Sequence, residues 1–215
     1  MQETVALTER DRAILTALTR KVRLLTIAQI ARTWWEGSAD PERNAKRRLT
    51  ELERSGLVRT ISISAHPELP LPCPEFVWKP GEPEPEFAPL SYRLQSRWVL
   101  PAGVVLAVVG TKLSANLLGG KITRLPREDE QNHDVHLGAL YLRFLKLFPA
   151  QAEAWLSEEL IRRTRPDRRG EKLPDALVEM NGRKHVVEFG GAYSKDKLKR
   201  FHGFCRWKRY SYEIW

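Results

Sequence analysis

The sequence predicts a mixed α and β fold in two domains, on three observations. Helical periodicity dominates the first part of the chain, a strand pattern of period two follows it, and the second half alternates apolar strands with amphipathic helices. The chain has 215 residues, of which 42% are hydrophobic and 29% charged, an ordinary composition for one or two folded domains. We place the boundary near residue 90, so that the predicted domains are residues 1–90 and 91–215.

Three helix-start signals precede the first strand. Thr8 can cap a helix that ends near residue 21, Thr26 starts a second, and Asp40 before a proline starts a third. Gly56 is expected to end the third helix. The residues LVRTISIS then alternate as a strand does, and FVWK is expected to return beside them as the second strand of a hairpin. Three short helices followed by a hairpin are typical of a winged helix-turn-helix domain.

The predicted third helix carries a basic surface. In a winged helix this helix lies in the major groove, where cationic and amide side chains contact phosphates and purine edges. The net charge of +9 also suits a polyanionic partner. We therefore predict binding of double-stranded DNA, the alternative being a solvated basic face on a winged helix that binds protein. The candidate DNA contacts on this helix are Arg43, Asn44, Lys46, Arg47 and Arg48.

Other patterns exclude some classes of protein. Cys73 and Cys205 offer neither a disulfide framework nor a metal-binding C-x-x-C, so a reducing cytoplasm is expected. The N-terminus lacks the pattern of a signal peptide, and the longest apolar run, residues 98–109, is too short to span a bilayer. Membrane attachment is therefore not expected. Residues 65–90 are rich in proline and acid, which excludes a long helix and predicts an extended linker.

An acidic pair is predicted at one end of a hairpin in the second domain. The segment LPDALVEMNGRKHVVEFGG reads as two strands joined by an Asn-Gly turn. In such a hairpin the carboxylates of Asp175 and Glu188 would come close together. Two carboxylates so placed could share Mg²⁺ or Mn²⁺, a cation that stabilises charge on a phosphodiester and activates water.

This segment resembles the PD-(D/E)xK nuclease superfamily, also called restriction-endonuclease-like. Pro174 and Asp175 match the first half of the family's motif and Glu188 matches its acid, but Gly190 stands where the family has a lysine. The resemblance implies a mixed sheet flanked by helices. Because the family's lysine orients the attacking water, its absence argues against cleavage and predicts a degenerate nuclease-like domain.

Some members of that family recruit a lysine or a further acid from a neighbouring element. The candidate lysines are Lys184, which shares a strand face with the second acid, and Lys195, at the start of the following helix. Asp134 is the candidate third metal ligand, and His133 or His136 a ligand or base. The alternative is that Asp134 stabilises a helix N-terminus and His136 packs in the core.

A basic helix follows the glycine pair at 190–191. Ser194 is its expected N-cap, and glycines there could let a DNA backbone approach the cations of its first turns. The candidate contacts are Lys197, Lys199 and Arg200, beside Lys195. The alternative is a solvated face of an amphipathic helix.

The order of these pieces is similar to the replication-relaxation family of bacterial plasmid and mobile-element proteins. The resemblance implies DNA binding linked to replication, mobilisation or transcription control, without established catalysis. Three functions stay open: a double-stranded DNA-binding protein, a metal-dependent endonuclease directed by its winged helix, and an adaptor for a replicase or relaxase. Winged helices often dimerise on palindromic sites, although the sequence shows no heptad repeat.

Overall fold

The computed structural model describes residues 5–120, 124–164, 173–180 and 182–215. Within that part of the chain the fold mixes α-helices and β-strands, as the sequence predicts. The helices are α1 (Glu9–Thr16), α2 (Ile27–Trp34), α3 (Pro41–Arg54), α4 (Phe87–Ser96), α5 (Lys112–Leu118), α6 (Glu128–Leu147), α7 (Pro149–Glu153), α8 (Glu158–Thr164) and α9 (Lys195–Lys208). The strands are β1 (Leu25–Thr26), β2 (Val58–Ala65), β3 (Phe76–Trp78), β4 (Gly103–Gly110), β5 (Leu156–Ser157), β6 (Ala176–Met180), β7 (Arg183–Glu188) and β8 (Ser211–Ile214).

The chain forms two units, and neither is continuous in sequence. Unit 1 comprises Met1–Glu68 and Ala102–Arg143, and unit 2 comprises Leu69–Pro101 and Phe144–Trp215. The chain therefore passes between the units three times, whereas the sequence predicts one boundary near residue 90. The difference arises because β4, which completes the sheet of unit 1, follows a segment that belongs to unit 2.

The first three helices begin where the sequence predicts. The hydroxyls of Thr8 and Thr26 cap α1 and α2, and the Asp40 carboxylate accepts a hydrogen bond from the Arg43 N–H of α3 at 3.1 Å. Helix α1 continues as a π-helical turn, Ala17–Lys21. Helix α3 ends at Arg54 with Ser55 as its C-cap, and Gly56 follows with a φ of 71°, which glycine adopts without strain.

The sheet of unit 1 has the order β1–β4–β2, with both pairings antiparallel. The hairpin partner of β2 is thus β4, and the prediction that FVWK fills this place is wrong, since Phe76–Trp78 pairs with β8 in unit 2. The apolar residues of β4 suit a central strand: Ala107 and Val108 are fully buried.

The sheet of unit 2 has the order β3–β8–β7–β6–β5. Strands β7 and β8 are parallel and α9 connects them, while the other pairings are antiparallel. The predicted pairing of β6 with β7 is present, although Asn181 of the predicted turn lies outside the described residues. Leu94, Phe201 and Tyr212 lie at the centre of the core.

Helix α4 and the start of α6 were not predicted. Helix α4 begins at Phe87 directly after the proline-rich segment; Pro89 is tolerated because it lies in the first turn, where backbone N–H groups have no partner within the helix. Helix α6 begins at Glu128, one turn before Asn132, where its apolar periodicity starts in the sequence. Among the described residues, no helix combines the length and the hydrophobicity that crossing a bilayer requires.

Candidate functional site

One face of α3 is a row of exposed cations. Arg43, Arg47 and Arg54 lie within about 40° of one another around the helix axis. All three side chains are exposed, and none forms an ion pair with the described residues. Lys46 lies beside them and pairs with Glu42 at 2.8 Å. We call Arg43, Lys46, Arg47 and Arg54 the α3 cationic face. The prediction missed Arg54, although its spacing of eleven residues from Arg43 is three turns of helix.

The opposite side of α3 packs against the rest of unit 1. Ala45, Leu49 and Leu52 are buried there, as their spacing predicts. Asn44 donates a hydrogen bond from its Nδ2 to the Ser38 hydroxyl at 2.7 Å. This amide therefore ties the helix to the preceding loop, a role different from the predicted DNA contact.

Arg48 also differs from its predicted role. Its Nε and Nη2 donate to the two carboxylate oxygens of Asp11 at 3.0 and 2.6 Å, and its Nη1 donates to Glu51 at 2.6 Å. The Asp11 side chain is completely buried. Burial alone would raise the pKa of Asp11, but the hydrogen bonds from Arg48 and Thr8 outweigh it and hold this pKa below its ordinary value. Arg48 therefore fastens α3 to α1, and its donors are not available for a DNA contact.

The structure brings together Asp175 and Glu188, the two predicted acids. Asp175 directly precedes β6 and Glu188 ends β7, so antiparallel pairing places them side by side. The Asp175 N–H donates to Glu188 Oε2 at 3.1 Å, and the Phe189 N–H donates to Asp175 Oδ2 at 2.8 Å. Glu188 is completely buried and Asp175 is 8% exposed. The acidic pair is thus built into the interior of unit 2.

Tyr193 contacts this pair directly. Its hydroxyl donates to Glu188 Oε1 at 2.6 Å. Burial raises the pKa of Tyr193 well above its ordinary value, and the charges of Glu188 and Asp175 raise it further, so the hydroxyl stays protonated as a donor. No sequence pattern pointed to Tyr193, because it lies in the irregular segment between β7 and α9.

Both carboxylates of the acidic pair accept hydrogen bonds. Each oxygen of Glu188 accepts one, from the Tyr193 hydroxyl or the Asp175 N–H, so a metal ion bound there would share the carboxylate with these donors. The described residues also contain no group of three or more His, Cys, Asp or Glu side chains that could hold a metal ion. The site of three carboxylates for Mg²⁺ or Mn²⁺ therefore stays a prediction.

The predicted third ligand belongs to unit 1. The Asp134 carboxylate lies 3.0 Å from Arg23 Nη1 and 3.7 Å from His133 Nδ1. His136 is completely buried and donates from Nδ1 to the Asn132 carbonyl at 2.7 Å. His136 therefore packs in the core, as the alternative predicts. Asp134 instead lies beyond the first turn of α6 and pairs with Arg23, so it does not stabilise the helix N-terminus.

The two candidate lysines lie on β7 and at the start of α9. Lys184 is four residues before Glu188 on β7, about 13 Å along the strand, and pairs in register with Glu179. Lys195 is exposed at the start of α9. Lys197, predicted as a DNA contact, lies instead with its Nζ 3.6 Å from the centre of the Tyr193 ring. Lys197 is therefore linked to the acidic pair through Tyr193, whose hydroxyl donates to Glu188.

Position 190 has no room for the family's lysine. A Cβ built on Gly190 would lie 2.8 Å from Ile214 Cγ2 and 2.8 Å from Leu94 Cδ2, closer than real contacts allow. Both neighbours belong to the core of unit 2. A side chain at this position would therefore enter the core and could not reach the acids.

The remaining predicted DNA contacts, Lys199 and Arg200, are exposed on α9. They lie on the side opposite Leu198 and Phe201, which are buried in the core. This arrangement fits both open interpretations, a solvated amphipathic helix and a binding surface.

The chain matches no family model and no solved structure. A segment of 75 residues is 32% identical to the dinoflagellate luciferase of Lingulodinium polyedra; it covers 35% of this chain and 6% of the luciferase. The chain thus spans a small part of that relative, and the similarity does not extend to the whole enzyme. The resemblance to the replication-relaxation family stays a prediction.

Proposed function

We propose that this chain is a double-stranded DNA-binding protein whose α3 cationic face enters the major groove. The observation that carries the proposal is the row of Arg43, Arg47 and Arg54, which are exposed and have no ion pair with any described residue, while the other side of α3 is buried. Guanidinium groups bind phosphate oxygens and the O6 and N7 atoms of guanine with two hydrogen bonds each.

The order of elements in unit 1 supports this orientation. Helices α1, α2 and α3 are followed by the antiparallel pair β2 and β4, the arrangement of a winged helix. In that domain type the hairpin lies beside the DNA backbone. Arg59, exposed on β2 and without an ion pair among the described residues, would supply a phosphate contact there.

We propose a structural role for the acidic pair of unit 2. The carboxylates of Asp175 and Glu188 accept hydrogen bonds from Tyr193 and from two backbone N–H groups, which fasten the end of the β6–β7 hairpin. Burial, the core position of Gly190 and the distance of Lys184 all argue against catalysis. Nicking of supercoiled plasmid in Mg²⁺ or Mn²⁺ that Glu188→Gln abolishes would overturn this part of the proposal.

We further propose that the protein is cytoplasmic and acts in the replication, mobilisation or transcription control of a plasmid or mobile element. It draws on the resemblance to the replication-relaxation family and on Cys73 and Cys205, which form no disulfide. A replication or mobilisation protein as a second partner, and a homodimer on DNA, belong to the same proposal.

The test is a salt titration of duplex affinity by fluorescence anisotropy. We expect Arg43→Ala with Arg47→Ala to weaken binding at least about tenfold and to reduce the slope of log K against log salt by about 1.8, since each lost phosphate contact contributes about 0.9. Arg12→Ala with Arg127→Ala is the matched control, because both side chains are exposed in unit 1 and the charge change is equal. Equal slopes for the two double variants would contradict the proposal. Absence of any duplex binding at low salt would favour the adaptor instead.

A further inference from the structure

Unit 1 contains a small cavity at the end of β4, with a volume of about 240 Å³. Its lining combines apolar side chains with guanidinium groups. The apolar side chains are those of Leu18, Val109 and Leu125, and the guanidinium groups are those of Arg23, Arg59 and Arg124. A concave, mostly apolar surface with a few converging polar groups is typical of a site for a small molecule.

The floor of the cavity is formed by Leu18 and Val109, which are 4% and 6% exposed. Leu18 lies on the π-helical turn Ala17–Lys21, and turns of this kind are rare in proteins and frequent at functional sites. The segment after α5 packs directly against the same turn, since a Cβ built on Gly120 would lie 2.6 Å from the Cβ of Thr19. Close packing therefore fixes the floor before any ligand binds, and a preformed site lowers the entropy cost of binding.

Arg59 brings a cation to the cavity without a counterion among the described residues. Its side chain is exposed and forms no ion pair with them. Arg59 on β2 pairs in register with Val109 on β4, and cross-strand partners of this kind share one face of a sheet. The guanidinium group therefore lies beside the apolar floor, an arrangement that suits a ligand with an apolar body and an anionic group.

Arg23 and Arg124 are already arranged around a carboxylate. The Nη1 atoms of both residues donate to Glu130 Oε2, at 2.9 Å from Arg23 and 2.6 Å from Arg124. Arg23 Nη1 also lies 3.0 Å from Asp134 Oδ2. Because these contacts use only Nη1, the Nε and Nη2 donors of Arg23 have no partner among the described residues and can bind a second anion. With Arg59 included, three arginines face two carboxylates, which leaves an excess of one positive charge.

We propose that this cavity binds a small organic anion, with an apolar ring on the floor and a phosphate or carboxylate group held by Arg59 and Arg23. Cavities for drug-sized ligands measure about 300–1,000 Å³, so the smaller volume here suits a single ring. A DNA backbone is too wide to reach the floor and would contact Arg59 only at the rim. Arg59 is shared with the duplex surface proposed above, but binding of the small anion does not depend on that function.

The test measures the binding of phenyl phosphate, benzoate and inorganic phosphate to the full chain by isothermal titration calorimetry. The tighter of the two ring probes identifies the anionic group, and it should bind at least about tenfold more tightly than inorganic phosphate, because its ring buries apolar surface. Arg59→Ala should weaken this probe about tenfold, the scale of one lost charge-assisted hydrogen bond. Arg12→Ala is the matched control, since Arg12 is an exposed arginine of unit 1 outside the cavity.

Leu125→Asn separates the ring from the anionic group. Leu125 is 45% exposed, so the fold should tolerate the change. The variant should bind the ring probe several-fold more weakly and inorganic phosphate as the wild type does.

Three results would overturn the proposal. The first is equal affinity of the wild type and Arg59→Ala for the ring probe, and the second is equal affinity of the wild type for all three probes. The third is a wild type that binds no probe while Arg59→Ala reduces the salt slope of duplex binding, because Arg59 would then serve the DNA contact alone. The calorimetry uses no DNA, so failure of the proposed function would leave its result unaffected.

Discussion

Gly190 shows how one position constrains the chemistry of unit 2. Its N–H donates to the Trp215 carbonyl at 2.8 Å, continuing the parallel pairing of β7 with β8 beyond Glu188. Its Cα faces Leu94 and Ile214, which are almost completely buried. The glycine is required by close packing, and the same packing removes the position from which the family's lysine would act.

A substitution tests this constraint. Gly190→Ala should lower the free energy of unfolding by about 1–3 kcal/mol, the usual cost of overpacking a core. Gly190→Lys should destabilise more and should not produce plasmid nicking. Gly203→Ala is the control, since a Cβ there meets no atom within 4 Å and alanine favours a helix by up to about 1 kcal/mol. Urea unfolding provides the measurement; a stable Gly190→Lys variant that nicks DNA in Mg²⁺ would contradict the account.

At the scale of elements, the ion pair between Arg48 and the buried Asp11 joins α1 to α3. Asp11 has no exposure, and Arg48 satisfies it with two hydrogen bonds while also contacting the Ala6 carbonyl at 2.8 Å. The orientation of α3, and with it the α3 cationic face, therefore depends on a residue that cannot itself bind DNA. Loss of this ion pair would lower the stability of the fold, and it would lower DNA affinity only as a consequence of that destabilisation.

The pH dependence of stability reports on this pair. The pKa of Asp11 is lowered in the folded chain, so its contribution is complete above its ordinary value of 3.8 and is lost as the pH falls through the folded pKa. Asp11→Asn should cost about 3 kcal/mol at pH 7, because it leaves Arg48 without its buried partner. The difference from the wild type should shrink at acid pH below 3.8.

Arg47→Ala, at an exposed position of the same helix, is the control and should change stability by less than about 0.5 kcal/mol. Denaturant unfolding at a series of pH values measures the change in unfolding free energy for both Asp11→Asn and Arg47→Ala. A difference between Asp11→Asn and wild type that persists undiminished at the lowest pH would argue against the ion pair.

Elements set by local signals were predictable, and those set by distant pairing were not. Thr8, Thr26 and Asp40 cap their helices within three residues, so each signal is readable in a short window. Strand Phe76–Trp78 pairs with β8 at the far end of the chain, and no local pattern distinguishes that partner from β2. The early start of α6 comes from an acidic first turn, which the apolar periodicity of the later turns did not reveal.

At the scale of the whole chain, the candidate sites also divide into features set by nearby residues, which were predictable, and features set by distant residues, which were not. The acidic pair was predictable because Asp175 and Glu188 lie on adjacent strands of one hairpin. The ion pair between Arg48 and Asp11 was not predictable, because the two residues are 37 positions apart in sequence. The interleaving of the two units has the same cause: β2 and β4 pair across a segment that belongs to the other unit.

The accessibility of individual lysines tests the duplex site without any substitution. Lys46 lies on the α3 cationic face, and Lys79 is an exposed lysine of unit 2. Acetylation of these lysines is readable by mass spectrometry on the native chain.

The most direct test of the central claim is therefore lysine acetylation in the presence of duplex DNA. The account predicts that a saturating duplex lowers the modification of Lys46 several-fold and leaves Lys79 unchanged. Full reactivity of Lys46 while the duplex is bound would contradict it.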